Sequence, residues 1–160
     1  AEKIKILRIH GQVKLYQHKY IGISSRLDTI QAAILLAKLP YYQEEINQRN
    51  YIAEKYTKKL KESLVTPSIK SDRTSVWAQY TVLLQNRDRL HLKLNEYGIP
   101  TAVHYPMPLH LQECFSYLGY GDSDFPTAEY VSKAVLSLPM NPFVTESEQL
   151  YICEKIHEVL

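Results

Sequence analysis

The stretch "SVWAQYTVLLQNRDRLHLKLNEYGIPTAVHY", residues 75–105, decides the fold class because its hydrophobic period changes twice. Residues 75–84 are rich in β-branched and aromatic side chains, which is typical of a strand. Residues 87–98 then place apolar side chains at helical spacing and end at Gly98, a residue type that often terminates helices. Residues 100–105 return to a strand-like composition. The stretch therefore predicts a strand, a helix and a second strand in that order.

The same alternation continues toward the C-terminus. Residues 127–134 predict a short helix, residues 135–140 a strand, and residues 145–160 a final helix. That helix opens with Thr145 and Glu148, which have the spacing of a capping box. The sequence therefore predicts an α+β class: a small antiparallel or mixed three-stranded sheet with helices on one face.

A helical arm is predicted before this module. Residues 1–10 predict a short helix and residues 11–25 a loop. From Arg26 onward, apolar residues follow the 3-4-3-4 spacing of a long helix, which Pro40 should kink. The section "AAILLAKL", residues 32–39, is apolar almost all round, so we expect it to be covered on both sides.

The predicted domains are a connecting helix, loop and arm over residues 1–63 and a small α/β domain over residues 64–160. The chain opens at Ala1, inside a helical pattern that has no cap. We therefore expect a longer protein, with cover for the apolar section supplied by preceding sequence or by a second subunit.

Composition narrows the function classes. Hydrophobic residues make up 45% of the chain and the net charge is +2, so we expect no nucleic-acid partner. No apolar run reaches the length of a membrane span, and we expect no membrane partner. The two cysteines, Cys114 and Cys153, match no metal spacing and are compatible with a reducing cytoplasm. The chain contains no glycine-rich phosphate loop, CxxC, GxSxG or HExxH motif, and thus no complete catalytic set.

The segment "HYPMPLH" places His104, Tyr105 and His110 just after a predicted strand. Its prolines restrict the backbone, which favours a rigid loop that recognises a polar ligand. If the strand continued, His104 and Tyr105 would point to opposite faces. A metal site lacks a third ligand. Acid–base chemistry would need a carboxylate such as Glu113 or Asp122, and a proline-rich loop with incidental histidines is the remaining interpretation.

A second cluster lies where the long helix begins. Ser24, Ser25 or Asp28 can cap that helix, whose first N–H groups also favour anions. Arg26 adds a planar guanidinium suited to a carboxylate or a phosphate. A merely capped helix start is the alternative. His18 is a further candidate because it lies in a loop that combines histidine, tyrosine and glycine.

These motifs together resemble one family. The segments "LRIHGQ" (7–12), "YQHKYIGISSRLDTIQAAILLAKL" (16–39), "GIPTAVHYPMPLHLQ" (98–112) and "LSLPMNP" (136–142) are similar to the C-terminal half of the DegT/DnrJ/EryC/StrS-type sugar aminotransferases. The resemblance covers roughly residues 4 to 158. It implies the small domain of a fold-type I aminotransferase.

The resemblance implies an activity for the whole protein. Such enzymes use pyridoxal phosphate, with glutamate as amino donor, to aminate a nucleotide-linked keto-sugar. This sequence is most similar to those acting on UDP-linked 3-keto-N-acetylglucuronate in O-antigen or lipopolysaccharide synthesis. The cofactor-binding large domain and its lysine would precede Ala1, so the resemblance implies no catalytic residue here. The chain alone would be inactive and would not hold the cofactor.

Site residues follow from the same resemblance. Ser24 occupies the position of the family asparagine that contacts the cofactor phosphate of the partner in a homodimer. Arg26 matches an arginine near the sugar, and His104 and Tyr105 match residues that line the nucleotide-sugar. Two alternatives stay open: an inactive truncated remnant that only binds a nucleotide-sugar or a protein, and a sensory or regulatory protein.

Overall fold

The computed structural model describes residues 1–160, which divide into two units, Ala1–Tyr42 and Gln43–Leu160. This division falls inside the helical arm predicted over residues 1–63. The second half of that arm groups with the C-terminal unit because its buried face belongs to that unit's core.

The N-terminal unit contains two helices and a short hairpin. In chain order these are α1 (Glu2–Leu7), β1 (Gln12–Lys14), β2 (Gln17–His18), α2 (Thr29–Lys38) and a 3-10 turn (Leu39–Tyr41). The strands β1 and β2 pair antiparallel within the region predicted as a loop. The helix α2 begins three residues later than predicted, after Asp28, whose backbone N–H donates to Gln31 Oε1 over 3.4 Å.

Pro40 lies at the start of the 3-10 turn that separates α2 from the next helix. A proline at the beginning of a turn loses no needed N–H donor, because the first N–H groups of a helix lack intrahelical partners. The helical pattern is therefore interrupted by a 3-10 turn at Pro40, the position where a kink was predicted.

Backbone hydrogen bonds join residues 7–10 to residues 23–25 in the N-terminal unit. Ile9 and Ser24 form an antiparallel bridge. Three bonds hold the segments together: Ile23 N to Leu7 O (2.9 Å), His10 N to Ile23 O (3.0 Å) and Ser25 N to Arg8 O (2.9 Å). The first two segments of the family resemblance, residues 7–12 and 16–39, are thus hydrogen-bonded to each other.

Two glycines make this pairing possible. Gly11 is buried, with φ of +74°, and a Cβ there would overlap the carbonyl oxygen of Tyr20 and lie 2.6 Å from its carbonyl carbon. A Cβ on Gly22 would lie 2.5 Å from the carbonyl oxygen of Leu7. A side chain at Gly22 would push the two segments apart, and one at Gly11 would displace Tyr20, which leads into the second segment.

The apolar side chains of α2 are not covered. Ala32 is half-buried and every other residue of the helix is exposed. A helix with this composition is normally buried, so this face lacks the cover that the sequence predicts.

The C-terminal unit carries the predicted α+β module. Its elements are α3 (Tyr42–Leu60), β3 (Tyr80–Leu83), α4 (Arg87–Glu96), two 3-10 turns (Leu109–Leu111 and Glu113–Leu118), α5 (Pro126–Ala134), β4 (Val135–Leu138) and α6 (Glu146–Val159). Thr145 and Glu148 form the predicted capping box of α6. None of the helices in the structure combines the length and the apolar character that crossing a membrane requires.

The sheet differs from the prediction. The α+β class is confirmed, but β3 and β4 form a two-stranded antiparallel sheet, and the predicted third strand contributes only the bridge between Ala102 and Ser137. Pro100 prevents the ladder from extending in one direction, because it has no N–H to donate at the next bonded position before Ala102. The first strand is shortened at its start, where Trp77 has φ of +48°.

The core of the C-terminal unit is formed by α3, α4, α6, β3 and β4. Tyr56 and Tyr80 lie at its centre with ring centroids 5.1 Å apart. Fully buried aliphatic side chains surround them: Leu60, Val82, Leu90, Leu94, Leu136 and Ile156. Segment 102–104 is fixed along the edge of this core by its bridge to β4.

Candidate functional site

Arg26 and Ser24 are presented on an exposed loop of the N-terminal unit. Both side chains are exposed, and neither forms a hydrogen bond or an ion pair within the chain. The loop itself is held, because the Arg8 guanidinium donates through Nε to the carbonyl oxygen of Ser25 over 2.9 Å. A fixed loop that carries a permanent, unpaired cation is suited to an anionic group.

Arg8 is a residue that the sequence interpretation missed. Its contact spans 17 positions in the chain, and a helical pattern over residues 1–10 gives no sign of it. The one sequence signal for this contact was the position of Arg8 in the "LRIHG" motif. An arginine directly after α1 is long enough to reach residues 23–25.

His18 lies on β2 and is exposed. Its Nδ1–H donates to the carbonyl oxygen of His10 over 3.0 Å. Because a carbonyl can only accept, this contact leaves Nε2 as the acceptor of a neutral His18 ring.

His104 and Tyr105 lie on the C-terminal unit, after the bridge at Ala102. His104 is half-buried and its Nδ1 lies 3.2 Å from Ser137 Oγ, while its Nε2 has no partner in the chain. The two rings touch edge to face, with centroids 5.5 Å apart, and the peptide bond between them is cis. The alternation that would send the side chains to opposite faces is therefore absent, because no strand continues through residues 104–105.

Tyr105 is 70% exposed and lines an apolar groove of about 420 Å³. The groove runs between the loop after His104 and α5, with Met107, Leu109 and Val131 among its walls. An aromatic side chain with a polar tip at the edge of such a groove suits a ligand that has both a flat ring and hydroxyl groups.

His110 has a carboxylate partner, but this partner is Glu129 and not one of the predicted candidates, Glu113 and Asp122. Its Nε2–H donates to Glu129 Oε1 over 3.1 Å, and both side chains are largely buried. The same oxygen accepts from the N–H groups of Ser123 (2.9 Å) and Phe125 (3.3 Å). Glu129 thus ties the start of α5 to the loop that carries His110. The sequence signal for this role of Glu129 was its position in the first turn of a helix that opens with Pro126, where a carboxylate can accept from free backbone N–H groups.

Glu129→Gln is expected to lower the free energy of unfolding at neutral pH but not in acid. Burial alone would raise the pKa of Glu129, but the N–H of Ser123, the His110 ring and the N–H of Phe125 lower it below 4.5. A carboxylate with a lowered folded pKa stabilises the protein above its unfolded pKa and stops doing so as pH falls through the folded value. Denaturant unfolding between pH 7 and pH 3 measures this difference.

The matched control is Glu113→Gln, which changes an exposed glutamate of the same loop. It should leave the unfolding curve unchanged at every pH. A constant gap between wild type and Glu129→Gln across the pH range would contradict the prediction.

Comparison with known proteins identifies the class. Residues 1–157 match the DegT/DnrJ/EryC1/StrS aminotransferase family, and the chain belongs to that family. The resemblance drawn from the "RLDTIQAA" and "HYPMPLH" segments is thereby confirmed.

Two curated relatives cover nearly the whole chain. One is a pleiotropic regulatory protein of Geobacillus stearothermophilus, 44% identical over 99% of this chain and 44% of that protein. The other is the UDP-2-acetamido-2-deoxy-3-oxo-D-glucuronate aminotransferase of Pseudomonas aeruginosa, 40% identical over 96% of this chain and 42% of that enzyme. The chain therefore spans less than half the length of these relatives.

Solved structures agree with this assignment. A DegT DnrJ EryC1 StrS aminotransferase from Brucella abortus superposes with a TM-score of 0.87 at 36% identity, over 98% of this chain and 42% of that one. NtdA from Bacillus subtilis, with bound cofactor PMP, superposes with a TM-score of 0.76 at 28% identity, over 96% of this chain and 38% of that one. Pyridoxal phosphate is the cofactor of the family.

The residues present fit one part of that cofactor. The Ser24 hydroxyl is exposed and unpaired, and a hydroxyl can donate to a phosphate oxygen. Because Ser24 is not buried, it offers a single contact to a phosphate and does not enclose one. No group of three histidine, cysteine, aspartate or glutamate side chains is arranged to hold a metal ion.

Proposed function

We propose that these 160 residues form the substrate-binding part of a pyridoxal-phosphate-dependent aminotransferase that acts on a nucleotide-linked keto-sugar. The observation that carries this proposal is the unpaired Arg26 on its held loop, in a chain whose relatives include an enzyme for a sugar uronate. Bound pyridoxal phosphate supplies the electron sink for amino transfer.

We propose that Arg26 binds the carboxylate of a uronate through its two-pronged guanidinium. His104 offers its free Nε2 to an oxygen of the nucleotide-sugar, and Tyr105 forms the wall of the adjoining groove. His18 lies on the same unit as Arg26 and is a weaker candidate for the sugar, because its Nδ1 is already used by His10. A serine hydroxyl at position 24 can donate to the cofactor phosphate, over a shorter reach than asparagine.

A homodimer with glutamate as amino donor completes the proposal. The uncovered apolar face of α2 supports the dimer, because isolated apolar helices of this kind are normally buried in an interface. In this arrangement Ser24 of one subunit contacts the cofactor phosphate of the other. The amino sugar produced would enter surface polysaccharide synthesis, as an O-antigen or lipopolysaccharide precursor.

Arg26→Ala is expected to raise the KM for a UDP-linked 3-keto-uronate roughly 10- to 100-fold, the effect of losing a charge-assisted hydrogen bond. The KM for the matching neutral 3-keto-sugar should change less than about threefold, because that sugar has no carboxylate to lose its partner. Steady-state kinetics of the protein at its natural length, with glutamate as donor, measure both values.

Arg89→Ala provides a matched control, since Arg89 is an exposed arginine on α4, remote in sequence from the loop. An equal effect of Arg26→Ala on the two sugars would remove the carboxylate role. Binding of both sugars by wild type without any amino transfer, and without a cofactor absorbance band, would instead favour a protein that only binds.

A further inference from the structure

A buried hydroxyl interrupts the apolar strand β4. Ser137 is 6% exposed between Leu136 and Leu138. Its backbone N–H donates to Ala102 O over 2.8 Å and its carbonyl accepts from Ala102 N over 3.1 Å. Ser137 is therefore fixed by main-chain bonds to the segment that leads into His104.

The Ser137 hydroxyl joins two other side chains. Its Oγ lies 2.9 Å from Thr81 Oγ1, on the directly opposite residue of β3, and 3.2 Å from His104 Nδ1. Neither Thr81 Oγ1 nor His104 Nδ1 has another partner in the chain. The three groups form a row that ends at the ring of His104.

Only one arrangement of protons gives both hydroxyl groups an acceptor. If Thr81 donates to Ser137 and Ser137 donates to His104 Nδ1, each hydroxyl proton is bonded. If His104 Nδ1–H instead donated to Ser137, one hydroxyl proton, on Thr81 or on Ser137, would find no acceptor in the chain. The first arrangement bonds every hydroxyl proton within the chain, whereas the second leaves one proton to solvent at the half-exposed Thr81, so the first arrangement is favoured.

We propose that Ser137 is a positioning residue that holds His104 in the tautomer with its proton on Nε2. The ring then presents a neutral N–H donor on its free side. Such a donor suits an acceptor oxygen of a carboxylate, phosphate or sugar hydroxyl and disfavours a ligand that presents an N–H. The fixed tautomer follows from the protein's own geometry; its use toward a nucleotide-sugar rests on the proposed function.

Nitrogen-15 NMR of the histidine side chains tests this directly. The protein at its natural length is labelled with 15N-histidine, spectra are recorded in mildly alkaline solution, and His104 is assigned by the signal lost in His104→Gln. Wild type should show His104 with the proton on Nε2. Ser137→Ala should shift the ring toward a mixture of both tautomers. The nearly isosteric Thr81→Val should keep the proton on Nε2, because the Ser137 hydroxyl then has His104 Nδ1 as its only side-chain acceptor.

Ser132→Ala is the matched control. Ser132 is also 6% exposed, but its hydroxyl donates to the carbonyl oxygen of Glu129 on α5 and forms no bond to His104. Its His104 signals should equal those of wild type. A wild-type proton on Nδ1, or a tautomer unchanged in Ser137→Ala, would overturn the proposal.

A ligand titration separates this inference from the proposed function. UDP-glucuronate should shift His104 Nε2, and its Kd should rise about fivefold in Ser137→Ala, the loss of one net hydrogen bond. If the tautomer responds to the variants as expected but UDP-glucuronate leaves His104 unmoved, the positioning role stands. The assignment of His104 to the substrate then fails.

Discussion

Replacing Gly11 with alanine is expected to break the pairing between residues 7–10 and 23–25. The left-handed backbone alone would cost a non-glycine residue about 1–2 kcal/mol. At Gly11 the added Cβ also overlaps the carbonyl of Tyr20, which is main chain and cannot rotate away. The total should exceed the cost of the backbone conformation alone, and the loop that carries Ser24 and Arg26 should lose its fixed position.

Gly98→Ala is the matched control for this prediction. Gly98 has the same φ of +74°, but a Cβ there meets nothing within 4 Å. Hydrogen exchange of the Ile23 and Ser25 amides measures the pairing, because both donate across it. These amides should lose protection in Gly11→Ala and keep it in Gly98→Ala. Equal protection in the two variants would contradict the close approach described at Gly11.

The second large effect is expected from Leu136→Ala. Leu136 is completely buried in β4, and removing its side chain leaves a cavity that the surrounding helices can only partly fill. The free energy of unfolding should fall by about 2–5 kcal/mol. The ring of the single tryptophan, Trp77, has its centroid 5.6 Å from that of the buried Tyr80. The fluorescence of Trp77 therefore reports the unfolding of the C-terminal unit in denaturant.

Leu92→Ala is the control, because Leu92 is 63% exposed on α4. Its cost should stay within about 0.5 kcal/mol. If the two leucine variants had similar midpoints, the core would not lie between β4 and the helices of the C-terminal unit.

Elements with strong local signals could be predicted from the sequence. The capping box at Thr145 and Glu148 marks the start of α6, and Gly98 closes α4 because a local backbone conformation requires it. These features depend on neighbouring residues, which a single sequence displays. The same reasoning found the helical character on both sides of Pro40.

Features that depend on distant partners could not be predicted. The expected strand over residues 100–105 had a suitable composition, but it pairs with β4 only at Ala102, and Pro100 has no N–H to extend the ladder. Glu129, rather than Glu113 or Asp122, reaches His110, because the loop folds back onto α5. Sequence spacing alone does not reveal such a return.

For the candidate site, too, the residues could be predicted from the sequence, but their contacts could not. Motif resemblance pointed to Ser24, Arg26, His104 and Tyr105, and these roles stay predictions until the kinetic and spectroscopic tests are made. The surroundings of each residue came only from the structure. The support of the Arg26 loop by Arg8 and the hydroxyl contact beneath His104 both join residues far apart in the chain.

In laboratory evolution, selection for stability and selection for ligand binding would favour different residues at position 137. An apolar residue at this position would suit the core better, since burying a hydroxyl costs free energy that a methyl group does not. Thr81 and His104 are both half-exposed, so water can satisfy them after such a change. A library ranked only by melting temperature would therefore enrich alanine or valine at position 137. It would discard the contact that orients the histidine, so such a library should also be ranked by ligand binding.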